Sequence, residues 1–184
     1  MSPFLSKASK IKIKVLAWYQ IIGGSCGVLM ILWILLQTDQ VHGLAYVISL
    51  TILILYSFSI YSGWLLFGDR LIIGLKLSII NQWLQIIALT FVRFTYTYIA
   101  GMGLFITVDT TNGFNLGIKY YLGSEATVSF YHAEKPLFLG VNLVALILVG
   151  LISKLSDTIK QEKATFDKLE LSEEPGDETL ALEA

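Results

Sequence analysis

The stretch LIIGLKLSIINQWLQIIALTFVR, residues 71–93, decides the reading of this chain. It is apolar and long enough to cross a bilayer, which takes roughly 20 mostly apolar residues. It nevertheless holds Ser78, Asn81, Gln82 and Gln85, and it ends on Arg93. On an α-helix turning about 100° per residue, these five fall with Leu89 and Tyr96 on one face about 120° wide. Polar side chains are expensive in hydrocarbon, so that face is expected to look at protein or water and not at lipid. The other apolar runs should then pack around this polar seam.

Working outward, 55% of the 184 residues are hydrophobic and only 15% are charged, where a soluble domain carries about a quarter. The apolar residues also come in long runs. That pattern fits a membrane domain and excludes an ordinary soluble core. The net charge of −1 conceals segregation, with lysines clustered at the start and acids at the end. The single cysteine, Cys26, rules out an intrachain disulfide.

The runs predict an all-α membrane protein, a four-transmembrane-helix bundle with spans at about residues 15–37, 43–67, 71–93 and 137–153. Lys7, Lys10, Lys12, Lys14, Arg70, Lys76, Lys154 and Lys160 then lie on one side. By the positive-inside rule that side is cytoplasmic and holds both termini, in a plasma or bacterial inner membrane. Gly23 and Gly27 form a GxxxG pair that lets another helix approach closely, expected within this same chain. Pro136 suits the first turn of the last span, where its missing N–H costs nothing.

Residues 104–132, between the third and fourth spans, change period. LFITV, FNLGIKYY and TVSFYH are β-branched and aromatic, and Asn112-Gly113 between the first two is a strong hairpin signal. An exterior β-hairpin or three-stranded insertion is expected there. Its face of Phe114, Leu116, Ile118 and Tyr120 is apolar and needs cover from a partner, the membrane surface or the bundle. In the cytoplasmic tail, 154–184, Leu155, Ile159, Phe166 and Leu169 recur at helical spacing, so an amphipathic helix as far as Lys168 is one reading. A solvated, unstructured tail fits the composition equally well.

No grouping of residues points to catalysis, a cofactor or a metal. His42 and His132 have no cysteine or carboxylate at metal-ligand spacing, and phosphate-binding, dinucleotide and hydrolase motifs are absent. No Asp or Glu lies inside any of the apolar runs, whereas ion and proton paths usually place one there. The expected function is therefore non-enzymatic. It is that of an integral membrane accessory or assembly subunit, surrounded by lipid, that binds other membrane or envelope proteins and no nucleic acid. The alternative is a small transporter or channel component using the seam around Asn81, Gln82 and Gln85.

Overall fold

The computed structural model describes residues 4–37, 43–68, 70–110 and 113–173, with backbone alone for 131–136 and 171–173. The connection at 38–42 with His42, and the acidic end of the tail with Pro175-Gly176, lie outside them. The elements run α1 (Lys7–Gln37), α2 (Gly43–Leu65), α3 (Leu71–Ile86), β1 (Ile87–Ile99), β2 (Met102–Asp109), β3 (Asn115–Leu122), β4 (Glu125–Asn142) and α4 (Leu143–Glu173). The strands form one antiparallel sheet in the order β1-β4-β2-β3.

This is a mixed α/β fold, and it overturns the expected all-α bundle of four membrane-spanning helices. Among the described residues, only α1 and α2 are long and apolar enough to cross a membrane. The expected third span stops being helical at Ile87, whose φ of −108° and ψ of 128° are extended. From there the sequence IALTFVRFTYTYI is dense in β-branched and aromatic residues, which fit a pleated surface better than a helix. The expected fourth span is a strand until Asn142. Pro136 lies within β4 and does not open a helix. Helix α4 starts only at Leu143 and reaches Lys154 after about three turns. It then continues to Glu173, past the Lys168 expected for an amphipathic tail helix.

Asn142 explains that switch. Its Oδ1 accepts the backbone N–H groups of Val144 at 3.1 Å and Ala145 at 3.4 Å, the pattern of a helix N-cap. It also accepts the N–H of Leu104 at 3.2 Å, so the cap is fastened to β2.

Strands β1 and β4 form a ribbon that bends sharply. Their register shifts on both sides of Val92, which has a φ of 53°, and the partners on β4 jump from Lys135 to Phe130. The chain folds back there, bringing the hydroxyls of Thr90 and Thr95 to 3.0 Å. The second edge of β4 pairs with β2, Phe105 facing Asn142 and Asp109 facing Phe138. A small core of Ala88, Ile99 and Phe105 fills the inside of this fold, flanked by Tyr121 and Phe138.

The helices split into two levels. Below, Ile13, Leu16 and Ala17 of α1 cluster with Leu66, with Leu71 and Leu75 of α3 and with Ile152, Leu155 and Ile159 of α4. Above, Ile31 of α1 and Ile52 and Tyr56 of α2 pack against strands, meeting Tyr98 and Ala100 with Tyr96, Ala126 and Val128 beside them. The sheet thus occupies, beside α1 and α2, the place where α3 and α4 would have continued.

Candidate functional site: a buried polar junction and an exposed apolar sheet face

Ser78, Asn81, Gln82 and Gln85 share one face of α3, as helical spacing dictates, and all four are at most 1% exposed. They meet Gln20 of α1, Ser59 and Ser62 of α2, and the end of β1. Gln20 Oε1 lies 2.7 Å from the Ser62 hydroxyl and 3.1 Å from that of Ser78, joining α1, α2 and α3 at one oxygen. Ser59 donates to the Gln20 carbonyl at 3.1 Å and accepts from Asn81 Nδ2, also at 3.1 Å.

The upper end of the junction holds the sheet. Gln85 Oε1 accepts the N–H of Ala100 at 2.8 Å. The Tyr98 hydroxyl donates to the Leu55 carbonyl at 2.8 Å and lies 3.2 Å from Asn81 Oδ1. The Tyr56 hydroxyl reaches the Ile99 carbonyl at 3.4 Å. The β1–β2 turn is therefore plugged into three helices.

Gly23 and Gly27 make room for it. A Cβ on Gly23 would come 2.7 Å from the carbonyl carbon of Ala100, and one on Gly27 would strike the ring of Tyr56. The close approach at this pair is to the sheet turn and to α2. Gly101, with a φ of 117°, lies in the same turn, where a side chain would also meet the ring of Tyr19.

Not every polar group in the junction is matched. Both amide atoms of Gln82 and the Nε2 of Gln20 are buried without a hydrogen-bond partner, as is the Nδ2 of Asn142 at the start of α4. Buried polar groups are nearly always bonded, so Gln82 is the exception to explain. Arg93 is not part of the junction. It lies in β1 beyond the helix end, exposed, because the seam's helical geometry stops at Ile86. Sequence reasoning also missed Gln20, whose signal was a lone amide in an apolar run. It missed Tyr98 as well, which only the return of β1 brings back to α3.

The second feature is the outer face of the β2–β3 ribbon. The register pairs Leu104 with Tyr120, Ile106 with Ile118 and Val108 with Leu116. Leu116 is 68% exposed, Ile118 74% and Tyr120 77%. Phe114, just before β3, is exposed as well. The opposite face carries Phe105 and Thr107, both buried, and Lys119, whose ammonium sits 4.4 Å from the Phe138 ring centroid. As the last strand in the sheet order, β3 has β2 as its one strand neighbour among the described residues.

No family model, no curated protein and no solved structure matches this chain.

Proposed function

We propose that this chain is a non-catalytic integral membrane subunit that recognises another membrane or envelope protein through the edge of β3. The observation that carries this reading is an edge strand of eight residues whose apolar side chains are outward and uncovered. An unpaired edge offers a row of N–H and C=O groups to a further strand, and side chains on each side of it set specificity.

The surface of α1 and α2 supports membrane integration. Leu29, Trp33 and Leu36 on α1, and Leu44, Val47 and Ile54 on α2, are exposed. A core helix of a soluble protein would bury such residues. In this reading the lysines in the first turns of α1, with Arg70 and Lys154, mark the cytoplasmic side and put both termini on it, in a plasma or bacterial inner membrane. The junction serves as structural glue: its amides and hydroxyls are sealed between elements, which favours packing over solute passage.

The test replaces Tyr120 with a photo-crosslinking phenylalanine derivative and irradiates intact cells. A covalent adduct with a different membrane or envelope protein supports the reading. Adducts with a second copy alone, or no protein adduct, overturn it.

A further inference from the structure

We infer that the sheet lies inside the outer half of the bilayer, with lipid acyl chains covering the face built by Leu104, Ile106, Leu116, Ile118 and Tyr120. This rests on α1 and α2 crossing the membrane and on the strand partner proposed at the edge of β3, since lipid leaves a free backbone edge unbonded.

The first support is height. The β1–β2 turn meets α1 at Gly23, near the middle of the apolar run 15–37. From that level to Gln37 is about 21 Å along the helix. Starting at the same turn, the eight residues of β2 span about 26 Å when extended, less when tilted. The β1 and β4 segments rise beside Ile31, Ile52 and Ile48, so they climb with the helices. The strands thus run from mid-bilayer to the outer boundary, where Thr110 and Asn115 are exposed.

The second support is patterning. On the outer face, Leu104, Ile106 and Val108 on β2 stand opposite Tyr120, Ile118 and Leu116 on β3, with no charge among them. The row continues across β4, where Leu139 faces Val108 and Val141 faces Ile106. The one charge on β3, Lys119, lies on the opposite face, its ammonium over the Phe138 ring. An apolar outer face without charges is what strands that face lipid present. A water-facing sheet would invert it, since a flat apolar face beside a free edge invites aggregation. Lipid cannot bond to the free backbone of β3, so a strand partner at that edge is needed all the more.

The test uses spin labels at Ile106 and Ile118 in a Cys26→Ser background, in phosphatidylcholine–phosphatidylglycerol vesicles. Leu29 of α1 and Asn115 carry labels as references for the bilayer and the outer boundary. Collisions with dissolved oxygen should exceed those with a water-soluble nickel chelate at 106 and 118, as at 29, while at 115 the chelate should dominate. Chelate dominance at 106 and 118 with oxygen dominance at 29 would put the sheet in water and overturn the inference. Shielding of 106 and 118 from both reagents would show protein, not lipid, over the face and overturn it too. A water-exposed label at 29 would overturn membrane integration itself, and the inference with it.

Discussion

The side-chain oxygen of Gln85 accepts the backbone N–H of Ala100 at 2.8 Å, tying the last turn of α3 to the first turn of the sheet. Both groups are buried, so this bond has no water to replace it. Removing one partner leaves a buried donor unmet, at about 1–3 kcal/mol. Gln85→Leu is therefore expected to lower the unfolding midpoint in detergent by several degrees. Gln82, one position earlier on the same buried stripe, has no hydrogen-bond partner. Gln82→Leu should be neutral or stabilising, by about 1 kcal/mol. Equal destabilisation by the two variants would contradict the assignment of these roles.

Gly23 abuts backbone atoms of Ala100 and Gly101, which cannot rotate aside. Gly23→Val is expected to displace the β1–β2 turn at about 1–3 kcal/mol, the usual cost of overpacking. Gly43→Ala, where an added methyl meets nothing within 4 Å, is the control. Thermal unfolding compares them, and similar midpoints would mean that the turn does not dock on α1.

Asn142→Ala removes the acceptor that serves Val144, Ala145 and Leu104. Losing an N-cap costs about 0.5–2 kcal/mol. Amide exchange at Val144 and Ala145 should accelerate while that in the distal half of α4 stays unchanged. Uniform exchange along the helix would argue against a cap at this position.

At the other end of the molecule, Glu162 of α4 accepts from the Ser6 N–H at 3.2 Å and the Ser9 hydroxyl at 2.9 Å. Slight burial pushes its carboxyl up, but the donors from Ser6 and Ser9 and the charge of Lys12 outweigh it and leave it below the usual glutamate range. A depressed carboxyl adds stability above its unfolded-state pKa and loses it as pH falls through the folded one. The stability gap between the native chain and Glu162→Ala should accordingly exist at neutral pH and vanish in acid. A gap that does not change with pH would show that the carboxylate charge is irrelevant to this contact.

The seam on α3 was legible because Ser78, Asn81, Gln82 and Gln85 obey a helical period. Its end was not, because Ile86-Ile87-Ala88-Leu89 is apolar in either conformation. The Thr and Tyr alternation from Thr95 to Tyr98 carried the strand signal, and reading the run as one helix misplaced Arg93. Asn142 falls inside the apolar run 137–153, yet it caps a helix, a role that depends on the strand before it. The alternation in β2 and β3 was readable from local pattern. Their pairing with β4, and β4 with β1, joins residues far apart in sequence, and composition holds no trace of that. Gly23 and Gly27 had the spacing for close approach, but spacing does not say what approaches.

A chain that works as a subunit bound to another membrane or envelope protein should be isolated with that protein. Purification in a mild non-ionic detergent followed by native mass spectrometry measures this directly. The account predicts a complex containing this chain and a distinct protein in fixed ratio, lost when β3 is disrupted by Leu116→Asp with Ile118→Asp while both proteins remain membrane-inserted. A chain recovered by itself, or with copies of itself only, would contradict it.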